Sequence, residues 1–372
     1  MTERTGTEQG SRTESSERSE PEVTLLGAEP QHSLKRDIEE IRSFYLTDDA
    51  RARVEDMSRL QETVYVTSAV LKNMFLKLTP ARRLMLGIAV LLFLSGMDGA
   101  LMPTAGGFLV LLFILMLELK DKLLAQDELA AGRAVQFALM PERAPSLSGW
   151  QVWLFSRPAN DVGGDLIDHI RLEDDRLFVT VGDVAGKGLP AALFMARLQA
   201  TLRALAPDTS RMDVLGSRVN AIFYRDGMRE RFASVLHLDV QADNGNVSVL
   251  NAGHFPPYVV RRSGRLDTLP HGGPALGMIQ DATYEVHPLV LETGDSVVVY
   301  TDGVTEARNQ LGEFFGEERF KQVLSAAAGS SAASIGRRIV ESVERFVEEA
   351  RPTDDLSLVV LVRTDGRFLG PG

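Results

Sequence analysis

The chain has 372 residues, 44% of them hydrophobic and 24% charged, which suffices for one globular domain of ordinary size plus roughly a hundred further residues. Lys and Arg number 40 against 51 Asp and Glu, and a formal charge of -11 repels a phosphate backbone, so no nucleic-acid partner is expected. Cysteine is absent, which excludes disulfides, thiolate metal sites and a Cys nucleophile; any phosphoryl chemistry must use another device.

Residues 1–32 are mostly Glu, Ser, Thr, Arg and Gly and read as a disordered tail, because they bury too little apolar surface to offset their ordering entropy. Ser and Glu follow the first positive charges, where a secretory signal needs an apolar core. Residues 33–80 read as an amphipathic helical segment: Thr47 and Asp48 can cap a helix, and Val54, Met57, Leu60, Val64, Leu71, Phe75 and Leu78 recur at helical steps.

Residues 84–119 carry almost no charge beyond Asp98 and Glu118 and are interrupted by Gly96, Gly99, Pro103, Gly106 and Gly107. About 18 residues from Leu84 to Leu101 make ~27 Å of helix and about 15 from Ala105 to Leu119 make ~22 Å, against a hydrocarbon core of about 30 Å. The expectation is a two-helix transmembrane hairpin in the inner (cytoplasmic) membrane. Arg82 and Arg83 before it and Lys120 and Lys122 after it put both termini and the following domain on the cytoplasmic side. A buried hairpin in a soluble core is the alternative.

Residues 120–141 read as a linker helix with an apolar seam at Leu123, Ala130 and Phe137, ended by Pro141. Gln126 and Arg133 interrupt the seam, so a coiled coil and a solvated linker both fit. From 142 to 364 the texture changes to short β-branched runs separated by Gly, Asp and Pro: 151–155, 177–181, 234–240, 247–251, 258–262, 296–300 and 356–362 read as strands. Helices are expected from Pro190, with Phe194, Leu198, Leu202 and Leu205 on one face, over Met212 to Phe223, and over 333–349. The class is α+β with a largely antiparallel sheet, and 365–372 form a short tail.

The acids are placed informatively. Asp183 and Asp302 close the strands 177–181 and 296–300, and Asp354 with Asp355 opens the strand 356–362. If the last strand runs antiparallel to the other two, these carboxylates share one edge of the sheet. Asp165 follows Gly163 and Gly164, which allow close backbone approach, and adds a fourth. One Asp at a strand end is ordinary turn chemistry. Four together would raise each other's pKa and destabilise the fold unless cations neutralise them. An all-oxygen donor set selects Mg²⁺ or Mn²⁺ over zinc, and two such ions holding a water make phosphoester hydrolysis the expected chemistry, with no protein nucleophile.

The loop Gly182 to Gly188 fails as a P-loop, because three residues separate Gly182 from Gly186 and Gly188 stands where a Ser or Thr is required. It also fails as a dinucleotide fingerprint, because Val214 to Phe223 reads as a helix where a strand is needed. His254, in Asn251-Ala-Gly-His254, reads as a structural hydrogen bonder rather than a catalyst.

Pro158-Ala-Asn-Asp-Val-Gly-Gly-Asp165, Gly182-Asp-Val-Ala-Gly-Lys-Gly-Leu-Pro-Ala-Ala192, Asn251-Ala-Gly-His254, Asp281-Ala-Thr-Tyr284, Tyr300-Thr-Asp-Gly-Val-Thr-Glu-Ala307 and Asp354-Asp-Leu-Ser357 stand in the order and spacing of one family. Over about 131–363 the chain resembles bacterial serine/threonine phosphatases of the metal-dependent protein phosphatase 2C (PPM) class, in the branch of stage II sporulation protein E and the sigma-factor regulation phosphatases. The resemblance implies a β-sandwich with helices on both outer faces and a site for two Mn²⁺ or Mg²⁺ ions at one end. It implies Asp183 as the bridging, catalytically essential ligand, with Asp165 and the Val184 carbonyl completing one site. Asp302 with the Asp354-Asp355 pair would complete the other, Asp354 being the expected ligand of that pair.

The resemblance further implies a phosphoserine or phosphothreonine protein substrate, such as a STAS-type anti-sigma-factor antagonist, and a homodimer through the linker and the switch helices after Pro190. Asp161 stands where many eukaryotic relatives carry a phosphate-binding Arg, which leaves Arg157, Arg197 and Lys187 as unranked candidates. Leu166 and Ile167 replace frequent aromatic residues but leave the acidic pair Asp165 and Asp168 intact. The competing readings are a non-catalytic phosphatase-like scaffold at the membrane and a hydrolase of small phosphoesters.

Overall fold

The computed structural model describes residues 59–97, 100–173, 175–226, 231–242 and 244–365. The expected tail at 1–32, the start of the amphipathic segment, Asp98 and the end of the C-terminal tail lie outside these. The chain divides into two compact units, with the boundary between Glu128 and Leu129.

In the first unit, α1 spans Arg59–Lys77, α2 Pro80–Ser95 and α3 Leu101–Leu139, the last running on across the unit boundary. α2 and the first half of α3 pack as an antiparallel pair. Arg82 at the start of α2 donates to Glu118 at 2.8 Å and to Asp121 at 2.5 Å. Gly107 lies so close to α2 that a methyl there would stand 2.8 Å from the Ala89 carbonyl oxygen. Leu84, Leu91, Phe108, Leu109 and Met116 remain exposed.

One expectation is corrected here. The second apolar stretch and the linker are one 39-residue helix, not two. Pro103 falls in the first turn of α3, where no intrahelical N–H is required, so it starts the helix instead of breaking it; Gly106 and Gly107 serve close packing. Of the expected hairpin, among the described residues Leu101–Leu139 is the helix long and apolar enough to cross a membrane, while its partner α2 has 16 residues.

The second unit is a four-layer sandwich. One sheet has the order β1-β10-β9-β6-β7, with β1 Trp150–Arg157, β6 Tyr258–Val260, β7 Leu266–Thr268, β9 Ser296–Tyr300 and β10 Leu356–Arg363. The other has the order β2-β3-β4-β5-β8, with β2 Leu166–Glu173, β3 Arg176–Val184, β4 Ala233–Gln241, β5 Asn246–Ala252 and β8 Val286–Val290. Every ladder is antiparallel.

Alternation builds the layers. Val297 and Val299 of β9, and Val359 and Leu361 of β10, point into the core between the sheets, where they meet Val179, Val181, Leu236 and Leu238. Val298, Tyr300, Leu358 and Val360 point outward, under Phe320 and Leu324 of α7 (Gly316–Ala326) and Ile335, Ile339 and Val343 of α8 (Ala332–Val347). Between β9 and α7 lies the short α6, Asp302–Thr305. On the far side, Phe194, Leu198 and Leu202 of α4 (Leu189–Leu205) and Leu215, Val219 and Phe223 of α5 (Met212–Asp226) cover Phe178, Val235 and Leu250. Because helices cover both outer faces, the central strands are apolar on both sides, and for that reason they read as continuous runs.

Candidate metal centre

The acids gather at one end of the sandwich, but from two sheets rather than along one edge of a single sheet. Asp183 is the penultimate residue of β3, paired in the ladder with Ser234 of β4. Asp302 follows β9 and opens α6, and Asp354 and Asp355 precede β10, all in the other sheet. Antiparallel pairing of β10 with β9 puts the end of one beside the start of the other, as expected. What the sequence could not give is that β3 belongs to the facing sheet, so that Asp183 reaches the group across the sandwich.

The Gly163-Gly164-Asp165 loop closes the group. Asp355 accepts from the Ala159 N–H at 2.8 Å and from the Gly164 N–H at 2.6 Å, and a side chain at Gly163 would collide with the Asp355 carboxylate. A methyl at Gly164 would stand 3.1 Å from the Val184 carbonyl oxygen and 3.6 Å from Asp183 Oδ1. Both glycines are thus fixed by crowding around acidic oxygens. Asp165, 3% exposed, accepts from Thr301 Oγ1 at 2.8 Å, and Thr301 in turn accepts from the Ser357 N–H at 3.0 Å.

The electrostatics are those of crowded carboxylates. Burial, then the charges of Asp302, Asp354 and Asp355, push Asp183 up to about 7. Burial, then Asp354 and Glu306, push Asp302 up to about 6. Burial and the neighbouring Asp355 and Asp183 raise Asp165 well above the usual carboxylate range, and burial raises Asp355. Asp183 therefore belongs to two overlapping neighbourhoods, one with Asp165 and Asp355 and one with Asp302 and Asp354.

Lys187 enters the second neighbourhood, donating to Asp354 Oδ2 at 2.8 Å and to the Thr353 carbonyl at 2.7 Å. Asp354 is the more open of the last pair, whereas both Asp355 oxygens are taken by backbone N–H groups. Among the described residues no three acidic or histidine side chains form a closed ligand cage. Carboxylates that repel one another sit as neighbours instead. The donor set itself suits hard divalent ions: carboxylates and a backbone carbonyl, with negative charge that burial makes costly unless a cation offsets it.

Other candidates fall elsewhere. Asp168, 2% exposed, is held by Arg203 of α4 at 2.8 and 2.6 Å, so it anchors α4 to β2 and is not part of the acidic group. Arg157 pairs with Glu344, and Arg197 stacks on Phe223 and pairs with Asp226. Of the three phosphate candidates Lys187 alone stands among the acids. His254 is buried and hydrogen-bonded through both ring nitrogens, as a structural role requires.

Two neighbours were not found from the sequence. Arg231 packs on Gly186, with a guanidinium nitrogen 3.4 Å from the Ala185 carbonyl oxygen and no carboxylate partner among the described residues. Gln136, near the end of α3, is hydrogen-bonded to Gly163. Neither lies in a quoted motif. Thr301 and Ser357 do, and their motif membership was the available signal.

Comparison with known proteins bears on the family and the fold. The family described as stage II sporulation protein E (SpoIIE) matches residues 173–364, just over half the chain. Protein IcfG of Synechocystis sp. is 30% identical over 263 residues, 63% of this chain and 41% of that protein. The phosphoserine phosphatase RsbU of Bacillus subtilis is 25% identical over 246 residues, 66% of this chain and 72% of that one. The chain thus spans about two fifths of IcfG and nearly three quarters of RsbU. Among solved structures, the SiaA-PP2C domain of Pseudomonas aeruginosa shares the fold at a TM-score of 0.58 and 20% identity, over 66% of this chain and 99% of that one.

Proposed function

The chain belongs to the stage II sporulation protein E family of PPM-type phosphatases, and we propose that it hydrolyses phosphoserine and phosphothreonine esters in a protein substrate with the help of two divalent ions, Mn²⁺ or Mg²⁺. The observation that carries this reading is the convergence of Asp165, Asp183, Asp302, Asp354 and Asp355 from two sheets, with burial first and then the neighbouring charges raising the pKa values of the four most buried.

Asp183, shared by both acidic neighbourhoods, is the residue suited to bridge two ions. Asp165 and the Val184 carbonyl belong to one side of it, and Asp302 and Asp354 to the other. Asp355 acts as a clamp that holds the glycine loop through its two backbone contacts. The ions, when bound, supply charge neutralisation and Lewis acidity for attack of water on phosphorus. Lys187 and Arg231 flank the acids as cations able to hold the substrate phosphate; Arg231 offers a planar fork that matches two phosphate oxygens.

The substrate is a phosphorylated signalling protein of the anti-sigma-factor-antagonist kind. RsbU and RsbP of Bacillus subtilis, both named phosphoserine phosphatases, support the phosphoserine part of this reading. Helices α2 and α3 tether the enzyme to the membrane with its phosphatase unit on the cytoplasmic side. The exposed apolar side chains on both helices, and the basic residues Arg82, Arg83, Lys120 and Lys122 at the ends of the apolar stretch, support this placement. The dimer through the linker and switch helices stays part of the proposal.

The test is release of phosphate from a phosphoserine-bearing protein by the full chain in detergent, with Mn²⁺ or with chelator. Mn²⁺-dependent release that is lost in Asp302→Asn supports the reading; equal release in chelator removes it.

A further inference from the structure

Asp183 and Asp302 sit in different sheets, and the sheets meet through an apolar core. Apolar contact is non-directional and does not by itself fix the distance between two strand ends. A metal site demands ligand positions good to about 0.2 Å. Directional contacts have to register the two ends; Thr301 with Asp165 and Gly164 with Asp355 do so on the β2 side, and one ring does so on the side of Asp183.

We propose that His254 is a positioning residue, which ties the Asp183 end of one sheet to the Asp302 end of the other and so sets the spacing of the acidic group. Its Nε2 lies 3.1 Å from the Tyr300 carbonyl oxygen, two residues before Asp302. Its Nδ1 lies 3.0 Å from Ser234 Oγ. Ser234 is the ladder partner of Asp183, and its hydroxyl oxygen is 3.4 Å from the Asp183 carbonyl oxygen. Each ring nitrogen thus serves one sheet.

The ring is held from behind. Asn251 Oδ1 accepts from the His254 N–H at 2.8 Å, and Asn251 Nδ2 donates to the His254 carbonyl at 3.0 Å. Gly253, at φ +76, turns the chain out of β5, and a methyl there would stand 2.6 Å from the Ala275 nitrogen. This accounts for Asn251-Ala-Gly-His254 as a unit: the amide fixes the backbone, the glycine makes the turn, and the imidazole spans the sheets.

The tautomer follows from the partners. A carbonyl oxygen only accepts, so Nε2 carries the proton and donates to Tyr300. Nδ1 then accepts the one Ser234 hydroxyl proton, so Ser234 is joined to Asp183 through the β3–β4 ladder and not through its hydroxyl. Burial depresses the ring to about 4, so it stays neutral near pH 7 and the tie does not switch in that range. His254 works as a strut, not as an acid or base.

This inference rests on the two-ion reading, and the experiment separates the two. The full chain in detergent is stripped of metal and titrated with Mn²⁺ by calorimetry, and its metal-free melting temperature is recorded, for wild type, Ser234→Ala, His254→Gln and His254→Ala. His254→Gln keeps a donor near Tyr300 and loses the Ser234 leg; Ser234→Ala cuts the same leg from the other side. Both are expected to weaken Mn²⁺ binding by about 10-fold, the lower end of what losing an outer partner of a metal ligand costs. Their melting temperatures and their kcat at saturating Mn²⁺ are expected to stay close to wild type, and His254→Ala is expected to bind more weakly still. Wild-type affinity in Ser234→Ala and His254→Gln would overturn the assignment. So would an affinity loss that tracks a fall in metal-free melting temperature, which would make His254 a packing residue. A wild type that binds no Mn²⁺ removes the two-ion reading and this inference with it.

Discussion

Gln136 and Gly163 exchange two hydrogen bonds: the side-chain amide donates to the Gly163 carbonyl at 2.8 Å and accepts from the Gly163 N–H at 3.0 Å. A side chain from the end of α3 therefore takes the place of a neighbouring strand for the loop that presents Asp165. Gln136 is 4% exposed, so no water replaces it readily. In Gln136→Leu the loop keeps its packing but leaves two buried backbone groups unpaired, at a cost of about 1–3 kcal/mol each. The expected result is a lower melting temperature together with a smaller upward shift on adding Mn²⁺, measured by thermal unfolding with and without the ion. An Mn²⁺ shift equal to wild type would mean that the loop holds its place without the glutamine.

The raised carboxyl groups give stability a definite slope with pH. Asp183 is pushed up to about 7 and Asp302 to about 6, above their values in an unfolded chain. The folded protein then binds protons that the unfolded chain has released. Their contribution is fully present below the unfolded carboxylate range and is lost as pH rises through about 6 to 7. In chelator the melting temperature is expected to fall between about pH 5 and about pH 8, and to fall less steeply in Asp183→Asn. Mn²⁺ replaces those protons, so its binding near pH 6 is expected to release them, read by calorimetry in buffers of different ionisation enthalpy. A wild-type slope no steeper than that of Asp183→Asn would contradict the assignment of these shifts.

Arg231 separates substrate binding from metal binding. Its guanidinium lies against Gly186, beside the loop that carries Asp183 and Lys187, and is not engaged by a carboxylate among the described residues. Arg231→Ala is expected to raise KM for a phosphoserine peptide about 10-fold or more with Mn²⁺ affinity unchanged, and Arg231→Lys to recover part of the loss, since a point charge replaces a fork. Unchanged KM would leave Lys187 as the phosphate-holding cation.

Gly336 provides a control far from the acids in sequence and role. It lies in α8 directly against the indole of Trp153, so that a Cβ would overlap the ring. Gly336→Ala is expected to cost about 1–3 kcal/mol of stability through overpacking, seen in denaturant unfolding, while Mn²⁺ affinity remains that of wild type.

The sequence revealed what its local pattern encodes. The run Ser296–Tyr300 reads as a strand with its observed bounds because both faces are covered and every residue is buried. β2 was missed because Leu166 to Glu173 mixes charges into an edge strand, where Asp168 reaches α4 and Arg171 bonds a loop carbonyl. α7 was missed because its apolar signal is little more than Phe320 and Leu324. The aspartates were legible one by one from glycines and strand ends. That they meet across two sheets was not, because strand order is decided by contacts remote in sequence. Arg231 and Gln136 were invisible for the same reason: each acts through one backbone segment that only folding brings near.

The proposed function requires Asp183 to join two ion sites. Calorimetric titration of Mn²⁺ into metal-free full chain, with p-nitrophenyl phosphate hydrolysis followed on the same samples, tests it directly in wild type and Asp183→Asn. Two Mn²⁺ per wild-type chain are expected, and in Asp183→Asn a loss of tight binding with turnover down by more than about 100-fold, beyond the cost of losing an outer partner. Asp183→Asn that binds two ions and turns over like wild type would contradict it.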